Sequence, residues 1–530
     1  MSMDITLLCV ILPVFLAVVA FLSYCGYRST RSSKDYLIGG SSVHPFVMAM
    51  SYGAAFISTS AIVGFGGVAG LYGMGLLFLP FMNIAVGVLG AFLIFGIRTR
   101  RLGYDLNAKT FPELIGNRFK SRYLKVFIAA VIFLFMPLYT SVVLIGGARF
   151  LEEVMQVDYN IALFIFAFVV AVYVTFGGLK GVMYIDSFMG SIMLLGMIFL
   201  LVMTYIRLGG VTEAHQALTN MAHLVPDNLK ASGHAGWTCM PDFNSEWWWN
   251  LVSSLMLGVG IGALAQPQLA VRFMTVKSTR ELNRAICVGA VFILFTAGTA
   301  YIVGALSNVY FYQKSSQIAI AAAKGNPDSI IPLFINQAMP KFFVYVFTLT
   351  LLSAGMSTLS SLFHVTGSAL GHDLYCNVFR RDKDNMTVSK IGIIIGIVLS
   401  IVLAFFLPPG IVARGTSIFF GVCAAAFMPV YFAAIYWKRA TTAGAWASIA
   451  SGVLVSLFGL VFLHRKESAA LGICESLFGK SELISNFPWP FVDTMVYALP
   501  ISAIVLIIVS YLTSPLNEYH LNRCFRKNSK

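Results

Sequence analysis

S-A-G-M-S-T-L-S-S, residues Ser353 to Ser361, lies inside a long apolar run, with His364 one turn further on. At about 100° per residue, Ser357, Ser360, Ser361 and His364 fall at i, i+3, i+4 and i+7, so a helix sets their oxygens and the imidazole along one face. A row of hydroxyls at membrane depth needs partners. Hydroxyls are hard oxygen ligands suited to a small cation, and Ala354 can add a backbone carbonyl wherever the helix is locally slack. The same serines can instead bond back to carbonyls four residues earlier or join one helix to the next. Choosing between a cation face and a polar seam requires the rest of the chain.

Composition sets the solvent. Of 530 residues, 58% are hydrophobic and 11% charged, with a mean hydropathy of +0.82, against about 25% charged residues in soluble domains. Long apolar runs recur from residue 5 to residue 513, with sizeable polar interruptions only near 210–246, 310–340 and 464–490. The chain reads as an all-α polytopic membrane protein, a single domain over 1–530 embedded in a lipid bilayer. The opening MSMDITLLCV carries Asp4 and no basic segment, which favours a retained first span over a cleaved signal peptide. The net charge of +14 comes without a soluble fold that would present it, so no nucleic acid is expected as partner. The eight cysteines form no C-x-x-C or Cys/His spacing, which argues against zinc or a thiol redox centre and for no cofactor. Cys239 and Cys474 fall in loops expected outside, where a pairing is open.

About thirteen spans have the roughly twenty residues needed to cross a hydrocarbon core. They cover 5–26, 45–71, 76–97, 126–150, 160–176, 182–206, 247–273, 286–309, 342–372, 391–408, 415–437, 443–463 and 491–513. With alternating direction, one set of connecting segments holds 26 of the 36 lysines and arginines. The positive-inside rule then puts the N-terminus outside and the C-terminus, with the tail 514–530, in the cytoplasm, as expected for a plasma-membrane protein. The tryptophans Trp247 to Trp249 fit an interfacial anchor for the seventh span.

The second span holds G-A-A-F-I-S-T-S-A from Gly53 to Ala61, then Gly64, Gly66 and Gly67, a composition poor at sustaining a continuous helix. Five spans later, the seventh holds Gly258, Gly260 and Gly262, followed by Gln266 and Pro267. An offset of five reverses the second interrupted span relative to the first. That is the pattern of two inverted five-helix repeats, 45–207 and 247–437, with a site at broken helices near the midplane. The core expected is leucine-transporter-like, with an extra N-terminal span at 5–26 and two C-terminal spans within 443–513. Glycine enrichment at close helix contacts is the plainer alternative.

In such a scheme the serine row faces the first broken helix. Ala54 and Ile57 can turn unpaired carbonyls towards Ser357 and Thr358, and with Ala354 they make a neutral oxygen cage for a monovalent cation. A divalent ion would want carboxylates. Asp186 lies early in the sixth span, where an unpaired carboxylate costs roughly 2.5 to 3.5 kcal/mol at the bilayer centre. A second cation site with Ser360 and Ser361 would account for it, as would a pair with Lys180. Arg149 and Arg272 lie near span ends and are expected to snorkel to headgroups or pair locally. His364 fits a hydrogen-bonded core histidine, with a proton relay as the alternative.

Five motifs in order now resemble one family. They are D-Y-L-I-G-G-S-S at 35–42, G-G-A-R-F-L-E at 146–152, F-G-G-L-K-G-V-M-Y-I-D at 176–186, A-Q-P-Q-L-A-V-R-F-M at 265–274 and A-G-M-S-T-L-S-S at 354–361. They resemble the sodium:solute symporter family of sodium-coupled sugar, proline, pantothenate, monocarboxylate and sialic acid carriers. The resemblance implies a first sodium site of Ala54, Ile57 and Ala354 by carbonyl and Ser357 and Thr358 by hydroxyl. It implies a second, present in some members, at Asp186, Ser357, Ser360 and Ser361.

The substrate pocket departs from two branches. Proline carriers place an aspartate where this chain has Phe56, and sugar carriers an acid in the third span, where this chain offers Phe78, Phe81 and Asn83. The apolar character is closer to the pantothenate and monocarboxylate branch, which implies uptake of a small organic acid by alternating access. Half-helix amides, Ser58, Thr59 and Gln266 would bind its carboxylate. Phe78, Asn83, Phe419 and Phe420 are the other pocket candidates, the last two as an aromatic gate or as core packing. Proline or sugar symport, a proton-coupled carrier using Asp186 or His364, and a membrane sensor are the alternatives. No nucleophile-and-base set or metal triad suggests an enzyme.

Overall fold

The computed structural model describes residues 5–29, 37–38, 43–276, 278–378 and 386–525. Their regular structure is helical throughout. In chain order the helices used below are α1 (Ile5–Ser29), α2 (Pro45–Phe56), α3 (Phe65–Tyr72), α4 (Arg122–Met155), α5 (Tyr159–Arg207), α6 (Gly258–Gly262) and α7 (Pro267–Arg272). There follow α8 (Thr279–Ser315), α9 (Lys341–Ser368), α10 (Met386–Phe406), α11 (Val412–Tyr436), α12 (Thr442–Phe462), α13 (Arg465–Leu471), α14 (Met495–Leu512) and α15 (Glu518–Cys524). Among the described residues ten helices are long and apolar enough to cross a membrane, and Val10–Gly26, Pro45–Phe56 and Tyr159–Ala171 are shorter apolar helices. The apolar window of the span containing α9, and that of α11, is 83% buried, whereas that of α14 is 28% buried. The first two form the centre of the bundle, and α14 presents its side chains to lipid.

Both glycine-rich spans are interrupted. Helix α2 stops at Phe56, Ile57 is extended (φ −88°, ψ 110°), and the chain re-enters a helical path at Ser60. Ser58 starts the second half: its Oγ accepts the Ser60 N–H at 3.1 Å, and its carbonyl accepts the N–H groups of Ala61 and Ile62. A serine doing this competes with continuous helix, which is why the break falls there. In the seventh span, α6 gives way to a tight turn and Gln266 is extended (φ −71°, ψ 117°), with Pro267 opening α7. Proline forces its predecessor out of the helical region and suits the first helical position, so Gln266–Pro267 both ends one half-helix and begins the next.

Helix α5 does not run straight. Phe166 packs over Gly355 and Thr350 over Gly196. On α9 those partners are five residues apart, about 7.5 Å, whereas thirty residues of straight helix would separate Phe166 from Gly196 by about 45 Å. The chain must therefore reverse between them, as the two separate spans at 160–176 and 182–206 require. Lys180, whose side chain was a candidate partner for Asp186, lies outside the residues whose side chains are described, as do the connecting segments 30–36 and 379–385. The D-Y-L-I-G-G-S-S motif does too, except for Leu37 and Ile38. Cys239 and Cys474 are both free thiols, the first exposed and the second buried.

Helices α3 and α8 cross at backbone contact. A Cβ on Gly304 would lie 1.9 Å from the Gly66 carbonyl oxygen, and one on Gly67 would lie 1.9 Å from the Pro327 carbonyl oxygen. Gly298, on the same helix as Gly304, has nothing within 4 Å of where a Cβ would stand. Gly304→Ala should therefore cost about 1–3 kcal/mol through overpacking, while Gly298→Ala should be neutral or slightly stabilising. Thermal unfolding of the two variants in detergent compares them directly; equal melting temperatures would contradict the close crossing.

Candidate functional site

The end of α2 meets the middle of α9. Because α2 stops at Phe56, the carbonyls of its last turn lose their intrahelical donors; the Ile57 N–H takes that of Gly53, leaving Ala54 and those after it. Ser357 Oγ donates to Ala54 O at 2.9 Å and lies 3.2 Å from Ala354 O. Thr358 Oγ1 lies 3.4 Å from Ala54 O, 3.3 Å from Ala55 O and 3.5 Å from Ile57 O. A hydroxyl has one proton, and these three distances exceed the usual 2.5–3.0 Å of an O–H···O bond. The cluster is rich in acceptors and short of donors. Ala54, Ala354, Ser357 and Thr358 are fully buried and Ile57 is 1% exposed, so water does not make up the deficit. A small monovalent cation would, and all five residues of the first expected sodium site are in this one cluster.

One turn along α9, the second expected set is also brought together, around a group that sequence reasoning placed elsewhere. Asp186 Oδ2 accepts from Ser51 Oγ and from Arg272 Nη2, each at 2.9 Å, and Oδ1 accepts from Ser360 Oγ at 3.3 Å. The same Arg272 Nη2 donates to Ser361 Oγ at 2.6 Å, and Nη1 donates to Gln268 O at 2.8 Å. Arg272 is 1% exposed and Asp186 fully buried. Of the two expectations for Arg272, snorkelling or pairing, the structure shows pairing: short α7 turns its guanidinium inward, where four helices supply acceptors, and the Asp186 carboxylate offsets the cost of burying its charge. Ser361 donates to Ser357 O at 3.0 Å, and Ser360 Oγ, with one proton to share between Asp186 and that same carbonyl, lies 2.9 Å from it, so the ion pair and the carbonyl cage share one turn of α9. Arg149, by contrast, pairs with Glu152 at 2.8 Å over the Tyr159 ring. His364 is buried and bonded to the Leu37 backbone.

The pocket candidates divide. Phe419 and Phe420, each 2% exposed, pack on Tyr139, Phe419 stacked at 4.9 Å and Phe420 edge-on at 5.4 Å; Phe420 also meets Phe56 at 6.3 Å. Ser58 hydrogen-bonds Tyr139. Gln266 bonds Gly262 O through Nε2, accepts from Gln268 Nε2 at 3.0 Å, and reaches Cys423 on the Phe420 face of α11. Thr59 is spent differently: its Oγ1 donates to Val143 O at 2.6 Å, tying the break to α4. Asn83 is buried with Oδ1 unpartnered. Phe78 does not join the group; it is 54% exposed and faces outward from the bundle.

Tyr139 and Ser51 are the members that pattern reading passed over. Tyr139 follows Pro137 within α4, a breaker in a span that could have drawn attention to that turn. Ser51 gives no such signal, since a lone serine in an apolar helix looks like any other. The geometry offers two oxygen-lined junctions, one neutral and one holding an internal ion pair, beside a packed aromatic cluster with a few polar groups, the chamber of the reading below.

Comparison with known proteins identifies the family. The family model described as the Sodium:solute symporter family matches residues 36–452. The chain is 29% identical over 461 residues to the sodium/pantothenate symporter of Haemophilus influenzae, covering 86% of this chain and 90% of that protein. It is 26% identical over 475 residues to the osmoregulated proline transporter OpuE of Bacillus subtilis, covering 88% and 91%. Among solved structures, a substrate-bound, outward-open Na+-coupled sialic acid symporter superposes with a TM-score of 0.72 at 18% identity, covering 96% of this chain and 98% of that one; the fold is shared. With its membrane-spanning helices, its two broken spans and a family match over most of its length, this chain is a multi-pass membrane protein that belongs to the sodium:solute symporter family.

Proposed function

We propose that the protein is a sodium-coupled symporter that imports a small organic acid, of monocarboxylate or pantothenate-like size, by alternating access around the broken helices. The observation that carries the sodium part is the donor-poor cage of Ala54, Ile57, Ala354, Ser357 and Thr358. A sodium ion there joins the end of α2 to α9, and the break it steadies also carries Ser58 and Phe56 of the aromatic chamber. Each charge moved inward gains about 2.3 kcal/mol per 100 mV of membrane potential, added to the sodium gradient.

The organic-acid part rests on the chamber. Phe56, Tyr139, Phe419 and Phe420 with Ser58 and Gln266 include no carboxylate, so an ammonium or a sugar lacks a charged acceptor there. The likeness to a pantothenate symporter supports the same reading. Proline is the second reading, since the chain's relatives include proline transporters at 26–27% identity. In this proposal 45–207 and 247–437 are the two inverted repeats. The end bearing 208–246 and 464–494 faces outside together with the N-terminus, and the C-terminal tail lies in the cytoplasm of a cell whose plasma membrane holds the carrier.

Arg272 bears on stoichiometry. The second cation position already holds a guanidinium bonded to Asp186 and Ser361, and we assign Arg272 as a tethered cation in place of a second sodium. One sodium per solute follows.

Uptake of labelled acetate, propionate, pyruvate, pantothenate, proline and a hexose into proteoliposomes, with and without an inward sodium gradient, tests the reading. Sodium-driven uptake of an acid is expected, and Ser357→Ala/Thr358→Ala should weaken sodium dependence by about tenfold to a hundredfold, as two charge-assisted ligands are lost. Sodium-driven proline uptake alone would replace the solute; uptake driven by protons and indifferent to sodium would overturn the cage assignment. Sodium titration of the same uptake should give a Hill coefficient near 1, and a value near 2 would return Asp186, Ser357, Ser360 and Ser361 to service as a second sodium site.

A further inference from the structure

A cavity of about 230 Å³ lies between the N-terminal end of α11 and the segment that carries α13, at the end of the bundle bearing the long connections. None of the residues assigned above to the cage or the chamber lines it. Its walls combine an aromatic pair with a charged cluster. Trp247 stacks on Tyr72 with centroids 4.2 Å apart. Opposite, Arg414 pairs with Glu467, and His464 meets the second oxygen of the same carboxylate. Lys466 and Asp493 complete the charged lining.

Two features point to a ligand with acceptor oxygens. The indole N–H of Trp247 and Nε2 of His464 are buried polar atoms with no hydrogen-bond partner, and both residues line the cavity; His464 is 5% exposed. Groups left this way are costly unless something arrives to satisfy them. The second feature is Glu467 itself. Burial would raise its carboxyl, but the hydrogen bond and charge of His464 and the guanidinium of Arg414 outweigh that and hold it down at about 2. It is a resident carboxylate held by Arg414 at one oxygen and by His464 at the other, a charge-assisted pairing that a ligand carboxylate could take over. Arg465 with Glu482 at 2.9 Å secures α13 beside it without using Arg414.

The floor of the cavity is formed by the turn of α11 that precedes the aromatic cluster. Ser417 and Ile418 line it, and the next two residues of α11 are Phe419 and Phe420. The carbonyl of Ser417 approaches Gly258 at the start of α6, the helix that leads to Gln266. A solute resting here is one to two residues along α11 from Phe419 and Phe420.

We propose that this cavity is a second solute site on the entry path, in which Arg414 holds the carboxylate of an organic acid in exchange for Glu467 while the Tyr72–Trp247 wall contacts its body. The proposal rests on the organic-acid reading of the solute. The site needs no sodium, since the cage lies elsewhere, and it discriminates by negative charge before the solute reaches the uncharged chamber.

The experiment is tryptophan emission from the full chain in lipid nanodiscs in sodium-free N-methylglucamine buffer, titrated with pantothenate, with pyruvate, and with the neutral alcohol pantothenol. A saturable change with at least one acid, none with pantothenol, and loss of the signal in Trp247→Phe are expected. Arg414→Gln should weaken binding at least tenfold and Arg414→Lys less. Glu467→Gln, which removes the competing carboxylate, should tighten it about tenfold, and Ser357→Ala/Thr358→Ala should leave it unchanged. Lys and Gln variants at these positions keep the test readable if Arg414→Gln does not fold. Equal binding of pantothenol, no saturable change with either acid, or binding indifferent to Arg414 and Glu467 would overturn the site while leaving sodium-driven acid uptake standing. Sodium-free acid binding with no sodium-driven uptake of any acid would instead sink the organic-acid reading and with it the entry role.

Discussion

The stop in α2 after Phe56 is the constraint on which the rest depends. In a bilayer, backbone carbonyls have no water to turn to, and a helix interrupted at that depth must find partners inside the protein. Here the partners come from α9, whose Ser357 and Thr358 reach Ala54, Ala55 and Ile57 but bring too few protons to satisfy them. The shortage makes the junction useful. A helix end that is fully satisfied by protein would be rigid and indifferent to ions, whereas an acceptor-rich one becomes complete only when a cation enters. Thr59 anchors the same break to Val143 of α4, one helical turn from Tyr139 in the aromatic cluster.

The adjacent Asp186–Arg272 pair does a different task with charge. It joins α2 through Ser51, α5 through Asp186, α7 through Arg272 and α9 through Ser360 and Ser361. Buried pairs of this kind add little net stability over apolar packing, yet losing one partner is severe, so they hold an arrangement more than they strengthen it. The neutral cage and the ionic knot meet at the Ser357 carbonyl, which accepts from Ser361 and lies within reach of Ser360. An ion entering above is therefore one helical turn from a link that spans both interrupted spans.

Charge is partitioned along the molecule. The chamber is aromatic and neutral, the ion pair below it is closed on itself, and the open charged surface is in the cavity at the far end, where Arg414, His464 and Lys466 face Glu467 and Asp493. In the proposed reading, selection by sign and selection by shape would thereby be separated in space, and a neutral inner chamber would not have to desolvate a fixed charge each cycle.

Much of this could be read along the chain, because it is written in local terms. The apolar content settles the bilayer as solvent, Gln266–Pro267 and the glycines after Gly53 mark the interruptions, and the 3–4 spacing of Ser357, Ser360 and Ser361 puts them on one face of any helix they form. Those are consequences of backbone geometry within a few residues. What only the tertiary structure decided is which groups share a space across elements. Arg272 looks like a snorkelling residue until α7 is seen to be one short turn aimed inward. Phe78 and Phe419 are alike in sequence terms, but one faces outward and the other stacks on Tyr139. The cavity at Arg414 is assembled from residues 72, 247, 414, 464 and 467, which no periodicity connects. Side-chain partners in a helical membrane protein depend on rotation and depth of whole helices, and small residues such as Gly66 and Gly304, by letting backbones touch, set both.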